Sequence, residues 1–195
     1  MNNSKTINRK NDWSVRKISI MAMLTALSVI LVYLIRFPIF PAASFLEYDP
    51  ADIPILIAAF MFGTVPGLAV TLVVCILQGL TVSAQSGIIG IIMHFMATGS
   101  MVIAVGLISR RNTVSVRNYI AAVVGSLAMT VVMILLNLVI TPFYMGVPVS
   151  VVKGLLLPAI IPFNLIKAGV NTFFAVHIFI ILNVAFKKAK INVDK

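Results

Sequence analysis

Charged residues are scarce in this sequence: they make up 10% of its 195 residues, whereas hydrophobic residues make up 61%. A soluble domain carries about a quarter charged residues and roughly half apolar ones. This shortage of charge excludes an ordinary soluble protein. It predicts a chain that lies in a lipid bilayer, where long apolar helices are stable.

Cysteine and several common enzyme motifs are also lacking. Cys75 is the sole cysteine, which excludes an intrachain disulfide, and we expect it to pack as a small apolar residue within a helix. The sequence has no HExxH motif, no histidine pair at metal-ligand spacing and no GxxxxGKS/T loop. We therefore expect no metal, no cofactor and no nucleotide hydrolysis by a P-loop.

Long apolar runs separated by proline, glycine and charge predict six membrane helices. A membrane helix needs about 20 largely apolar residues, so the second and third runs are short, and GTVPG at 63–67 predicts a tight turn between them. The predicted helices cover residues 18–35, 52–62, 66–80, 87–108, 119–140 and, from a start between Pro158 and Pro162, the stretch to Phe186. We expect an all-α integral membrane protein with a basic segment at 1–17, a six-helix transmembrane domain at 18–186 and a basic tail at 187–195.

Lysines and arginines collect on one side of the predicted bundle. They lie in the first segment, in the loop after the fourth helix and in the tail: Lys5, Arg9, Lys10, Arg16, Lys17, Arg110, Arg111, Arg117, Lys187, Lys188, Lys190 and Lys195. The opposite side carries only Arg36 and Lys153, with Lys167 inside the last helix. Because cytoplasmic loops hold the excess of basic residues, both termini are predicted to be cytoplasmic. This asymmetry accounts for the net charge of +10 without a nucleic-acid partner.

Acidic residues are fewer still, and three of the five lie together in FLEYDPADIP, the first outer loop. They are Glu47, Asp49 and Asp52. We expect none of them to lie deep in a helix. Since ion-coupled carriers usually place acids or unwound backbone near the membrane midplane, a complete secondary transporter is disfavoured.

The last predicted helix contains the polar stretch FNLIKAGVN. At 100° per residue, Asn164, Lys167 and Asn171 share an arc of roughly 60° on one wall of the helix. Two interpretations of Lys167 stay open. It either reaches outward or pairs with a loop acid (Glu47, Asp49 or Asp52), or it lines an outward cavity and donates to a ligand. Asn171 either contacts the same ligand or bonds a neighbouring helix.

Other polar residues at the outer ends of helices are weaker candidates for the same cavity. Asn137, near the end of the fifth helix, is placed to face the polar wall, and Gln78 and Gln85 are candidate rim residues. Gly87 and His94 are seven apart and share a face of the fourth helix. His177 lies about 220° from Asn164 on its helix, so we interpret it as structural.

The first helix offers a surface of another kind. In MAMLTALSVIL, Ala22 and Ala26 form a small-xxx-small strip that lets a second helix approach closely. That helix belongs either to this bundle or to a partner protein.

Three stretches together resemble one family. The AMLTAL sequence, the loop FLEYDPADIP running into ILIAAFMFG, and the wall NLIKAGVN are similar to those of the riboflavin-binding S-components of energy-coupling factor (ECF) transporters. The resemblance covers roughly residues 18 to 186. It implies a six-helix subunit in the bacterial cell membrane that captures riboflavin near the outer face. Two ATPases and one transmembrane coupling protein then drive its release inward.

The resemblance also implies roles for individual residues. Ala22 and Ala26 would pack against the coupling protein, and Asn137, Asn164 and Lys167 would contact the flavin. The first loop would close over the ligand through residues 43–47, which include Ala43, Phe45, Leu46 and Glu47. The absence of a nucleotide-binding motif agrees with an energy source on another chain.

Three alternatives remain at this stage. The first is a related subunit that carries another vitamin, such as thiamine or biotin. The second is a membrane enzyme, which would need a nucleophile with a base or a metal set, and neither His94 nor His177 has an evident carboxylate partner. The third is a structural subunit without a ligand.

Overall fold

The computed structural model describes residues 13–189, which form eight α-helices and one short pair of strands. The elements in chain order are α1 Val15–Leu34, β1 Phe37–Pro38, β2 Glu47–Tyr48, α2 Asp52–Phe62, α3 Thr64–Leu80, α4 Gly87–Ile108, α5 Val116–Val139, α6 Thr141–Met145, α7 Val149–Leu155 and α8 Ile161–Lys188. Five of the predicted basic residues lie outside the described range: Lys5, Arg9, Lys10, Lys190 and Lys195. The division into head, bundle and tail stays a prediction.

The predicted helices agree closely with the observed ones in the first half of the chain. Helices α2 and α4 have the predicted bounds. The predicted turn at 63–67 is shorter than expected, because Gly63 alone separates α2 from α3. Its φ of 88° lies in the left-handed region that glycine adopts without strain. Pro66 then falls in the first turn of α3, where a missing N–H has no cost.

The region before the last helix contains more regular structure than expected. The predicted break at 141–150 holds two short helices, α6 and α7, separated by a left-handed Gly146 with φ 66°. A π-helical turn at Leu156–Ile160 then joins α7 directly to α8. Helix α8 begins at Ile161, within the predicted range between Pro158 and Pro162, although this wider turn makes it continuous with α7.

Residues 13–189 are mostly helical, as an all-α protein predicts, but the first loop adds one short pair of strands. Strands β1 and β2 pair antiparallel, with Phe37 opposite Tyr48 and Pro38 opposite Glu47. The first loop is therefore a folded hairpin and not an irregular connection.

Within residues 13–189, four helical segments are long and apolar enough to cross a membrane. They are Val15–Leu34, Ala84–Ile108, Val116–Val139 and Val149–Lys188. Helices α2 and α3 are apolar but shorter, as the sequence predicted.

Helix α2 lies at the centre of the bundle. All 11 of its residues are buried, and it packs against α1, α3, α4 and α8. A helix that is apolar on every face must be enclosed by protein or lipid, and here other helices enclose it. Its Phe60 stacks on Phe179 of α8 with ring centroids 5.3 Å apart.

The loop between α4 and α5 closes the end of the bundle opposite to the first loop. The backbone N–H of Asn112 donates to the carbonyl oxygen of Phe60 at 3.1 Å. The Asn183 amide in turn donates to the Asn112 carbonyl oxygen at 2.9 Å. These bonds tie the ends of α2 and α8 together. We call this the far end, and the end that carries residues 36–51 the first-loop end.

Candidate ligand-binding site at the first-loop end

The hairpin of the first loop is fastened to the bundle by Arg36, the second residue after α1. Its Nε donates to Glu47 Oε2 at 2.6 Å, and its Nη2 donates to the same oxygen. A third donor, Nη1, bonds the carbonyl oxygen of Val82 in the connection between α3 and α4. Arg36, which precedes β1, thus bonds Glu47 of β2 and the loop between α3 and α4.

Lys167 pairs with a loop acid. Its Nζ donates to Asp49 Oδ2 at 2.7 Å, and both side chains are about nine-tenths buried. Of the two interpretations left open by the sequence, the one in which Lys167 pairs with a loop acid is observed. An ammonium group has three donors, and the contact of Lys167 with a ligand stays a prediction.

Asp52 forms a second buried anionic centre at the start of α2. Its side chain is fully buried and accepts hydrogen bonds from Thr98 Oγ1 at 2.8 Å and Asn171 Nδ2 at 3.1 Å. His94 Nε2 lies 3.4 Å from Asp52 Oδ1. A carboxylate in the first helical turn also benefits from the positive end of the helix dipole.

Asp52 corrects one expectation from the sequence. We saw no evident carboxylate partner for His94, but Asp52 lies beside it, 42 residues away along the chain. A contact over that separation leaves no signal in local sequence. The expectation that no acid lies deep in a helix is not contradicted by Asp52, because this residue is the first of α2, although its side chain is fully buried.

Asn171 connects α8 to the hairpin. Its Nδ2 donates to the Asp49 backbone oxygen at 3.0 Å, and its Oδ1 accepts from the Tyr48 hydroxyl at 3.0 Å. Burial is the main cause that raises the pKa of the Tyr48 hydroxyl above its usual value, so this group stays a neutral donor. Of the alternatives for Asn171, bonding to neighbouring segments of this chain is the one observed.

Three cavities surround the hairpin segment Phe45–Glu47. Their volumes are about 160, 360 and 160 Å³. Phe45, Glu47 and Gly90 line all three. The cavities are therefore lobes of one hollow, divided by the hairpin, and we name them the first, second and third lobes.

Most of the predicted site residues line this hollow. Those that do so are Phe45, Leu46, Glu47, Gln78, Gln85, His94, Asn137, Asn164 and Lys167. Among residues 13–189, Ala43, Gly87 and Asn171 were also predicted but do not line the three lobes. Ala43 packs in an apolar cluster with Val152 and Phe163. Gly87 is the first residue of α4. Gly90, about one turn further along, lines all three lobes instead.

Several lining residues were not predicted as site residues. They include Arg36, Asp49, Cys75, Gly90, Met93 and Met133. Gly90 and Met93 lie within one turn of His94 on α4, so helical spacing could have found them. Cys75 is buried as expected, but it also borders the first lobe, three residues before Gln78 on α3.

Two lining side chains leave a polar atom unpaired among the described residues. Asn164 donates through Nδ2 to the Ile160 carbonyl oxygen at 2.8 Å, but its buried Oδ1 has no partner there. The buried Nε2 of Gln78 likewise has none. Since buried polar groups are nearly always hydrogen-bonded, an unpaired acceptor in the third lobe and an unpaired donor in the first indicate a ligand or water.

Asn137 differs from Asn164 in this respect. Its Nδ2 donates to the Met133 carbonyl oxygen at 2.8 Å, and its Oδ1 accepts from Thr141 Oγ1 at 2.9 Å. It borders the second lobe with both groups already engaged. Its predicted contact with a ligand stays a prediction.

The alanine strip of α1 lies away from this site. Ala22 and Ala26 are exposed and line a groove of about 420 Å³ between α1 and α3. The described part of the chain does not cover them, which favours a partner over internal packing. His177 is exposed on α8, where its ring packs 4.3 Å from the Phe173 ring.

Comparisons with known proteins point to one family. The family described as "ECF transporter, substrate-specific component" matches residues 16–179 of this chain. A protein of Streptococcus thermophilus named riboflavin transporter RibU is 32% identical over 162 residues, which are 79% of this chain and 76% of that protein. A protein of Bacillus subtilis named riboflavin transporter FmnP is 28% identical over 166 residues, which are 81% of this chain and 87% of that protein.

A solved structure is similar over nearly the whole chain. It is described as "Structure and mechanism of the S component of a bacterial ECF transporter" and matches with a TM-score of 0.72 at 28% identity. The match covers 91% of this chain and 98% of that chain. The helical arrangement described above is therefore that of an S component.

Proposed function

This chain belongs to the substrate-specific components of ECF transporters, and from that membership we propose that it captures riboflavin with high affinity at the outer face of a membrane. The family works with an energy-coupling module, and its members are transporter components and not enzymes. The chain is a membrane protein, with apolar helices of the length that a bilayer requires. The names of its relatives support riboflavin as the ligand.

The observation that carries this proposal is the divided hollow with its unpaired amide atoms. Riboflavin has a broad apolar ring system with carbonyl acceptors and an imide N–H, and a ribityl chain with four hydroxyls. The third lobe combines the free Oδ1 of Asn164 and the ammonium of Lys167 with apolar walls from Phe163 and Met129. A largely apolar cavity with a few placed polar groups suits such a ligand.

The two ends of the ligand match different lobes. We infer that the flavin ring enters the third lobe, where Asn164 accepts from the imide and Lys167 donates to a carbonyl. The first lobe is more polar and contains the free Nε2 of Gln78 with Ser83 and Ser86. It suits the ribityl hydroxyls. The hairpin segment Phe45–Glu47 must shift to join these lobes around one molecule.

We further infer the membrane arrangement. The chain crosses the bacterial cell membrane six times, with both termini in the cytoplasm and the first-loop end outside. The asymmetry of basic residues supports this orientation. A transmembrane coupling protein and two ATPases form the energy-coupling module, and the groove with Ala22 and Ala26 receives the coupling protein.

The ligand is tested on the full chain purified in detergent. Visible absorbance and mass analysis should show co-purified riboflavin, and added riboflavin should lose fluorescence on binding. Thiamine and biotin should not compete. Binding of thiamine or biotin, with no binding of riboflavin, would overturn the proposal in favour of a related subunit.

The partner surface is tested by filling the groove. Ala22→Trp and Ala26→Trp should leave riboflavin binding intact but abolish uptake by the complete transporter, because two helices can approach closely only across small residues. The matched control is Ala185→Trp, which changes an exposed alanine on α8. Normal uptake by both groove variants contradicts a partner surface on α1.

A further inference from the structure

The basic side chains of the hollow are both neutralised by the first loop. Among the described residues that line the three lobes, the basic ones are Arg36 and Lys167. Arg36 pairs with Glu47, and Lys167 pairs with Asp49. The hairpin thus supplies one carboxylate for each cation.

The two pairs differ in their contact with solvent. The Lys167 and Asp49 side chains are 10% and 11% exposed, whereas those of Arg36 and Glu47 are 19% and 30% exposed. Arg36 and Glu47 both border the first and second lobes. The more exposed pair therefore lies at the mouth of the hollow, where a charged group of a ligand can reach it while still hydrated.

Each of the three nitrogens of the Arg36 guanidinium donates a hydrogen bond. Nε and Nη2 both bond Glu47 Oε2, and Nη1 bonds the Val82 carbonyl oxygen. The edge formed by Nε and Nη2 is the edge with which arginine binds phosphate through two parallel bonds. In this structure the Glu47 carboxylate occupies that edge.

We propose that Glu47 selects the ligand by charge, because its carboxylate occupies Arg36 and makes the hollow favour a neutral polyol over the phosphate ester of the same polyol. This inference rests on the proposed function. A phosphate beside Arg36 would also approach the Glu47 carboxylate, and like charges repel. To bind the edge formed by Nε and Nη2, it would have to displace Glu47 and leave that carboxylate unpaired.

The test compares riboflavin with its 5′-phosphate ester in fluorescence titrations of the purified full chain. Glu47→Gln keeps the size of the side chain but removes its charge, which leaves the Arg36 cation without a counter-charge. The affinity for the ester relative to riboflavin should rise by about tenfold, the size of one charge-assisted hydrogen bond. The gain should shrink at high salt, because ions screen partly exposed charges.

Two further variants separate a specific effect of Arg36 from a general effect of charge. In the double variant Arg36→Gln/Glu47→Gln the gain should disappear, because no guanidinium remains to bind the ester. Lys153→Gln removes an exposed cation on α7 that lines none of the three lobes. It should leave the ratio of the two affinities unchanged.

The outcomes distinguish this inference from the function on which it rests. If Glu47→Gln and Glu47→Ser still bind riboflavin but keep the wild-type ratio, charge selection is overturned and the function stands. A ratio that rises equally in the double variant also overturns it. If the wild-type chain binds neither compound, both the function and this inference fail.

Discussion

The two ends of the helix bundle differ in how their buried residues are stabilised. At the first-loop end, the ends of α2 and α8 bury charged groups, among them Asp52 and Lys167, and hold them with hydrogen bonds. Towards the far end, the same two helices meet through the stacked rings of Phe60 and Phe179. One helix pair thus has a polar interface at one end and an apolar interface at the other.

This difference shows which end of the bundle depends on individual bonds. Apolar packing is non-directional and tight, so it supports one arrangement of the helices. A buried ion pair costs desolvation and is stable only with good geometry. The first-loop end therefore holds its hairpin through a few specific bonds. Loss of one bonding partner there should lower the stability more than loss of a buried methyl group at the far end.

Lys167→Met is the strongest test of the difference between the two ends of the bundle. This variant leaves the Asp49 carboxylate buried without its cation, and the free energy of unfolding should fall by about 3–5 kcal/mol. Thermal unfolding in detergent measures the loss. Asp49→Asn/Lys167→Met removes both charges and should recover most of it. If the single variant is as stable as the wild-type chain, the ion pair does not hold the hairpin.

The apolar half is tested by Met101→Ala on α4. Met101 is fully buried, and the cavity left by its side chain should lower the free energy of unfolding by about 2–5 kcal/mol. The affinity for riboflavin should not change, because Met101 lies in the core cluster and not at the hollow. A weaker affinity in the folded variant would show that the two halves are coupled.

Asn164→Ala separates binding from stability within the polar half. Among the described residues, its side chain makes one bond, to the Ile160 carbonyl oxygen in the π-helical turn that precedes α8, so thermal stability should change little. The affinity for riboflavin should fall by roughly 1–3 kcal/mol, because the imide of the ligand loses its acceptor. Fluorescence titration measures the affinity. An unchanged affinity would remove this wall of α8 from the binding site.

Thr172→Val should have the smallest effect on stability, because it removes a hydroxyl whose partner is another neutral hydroxyl. Thr172 Oγ1 lies 3.0 Å from Ser126 Oγ between α8 and α5. The variant also removes the bond from Thr172 Oγ1 to the Ala168 carbonyl oxygen of α8, at 2.7 Å. Loss of the bond between the two helices should lower the free energy of unfolding by about 0.5–1.5 kcal/mol. Thermal unfolding next to Lys167→Met gives the comparison. Equal losses in both variants would mean that charge makes no difference to the cost of an unpaired group.

The parts of the site that could be predicted from the sequence are the residues spaced at the period of a helix. Asn164 and Lys167 share one wall of α8 because of their spacing, and both line the third lobe. The contact of Tyr48 with Asn171 joins residues 123 positions apart. No local pattern encodes such a contact, so the sequence left the roles of Lys167 and Asn171 open.

Composition and spacing alone determined that this chain is a helical membrane protein with its polar residues gathered near one end of the last helix. These properties follow from the solvent and from the 3.6-residue turn, which act on each segment independently. Only the tertiary structure decided that Asp49 pairs with Lys167, that Asp52 accepts a hydrogen bond from Thr98, and that the hairpin divides the hollow. Those outcomes depend on which segments meet, because the energy of a buried charge is set by its neighbours in space.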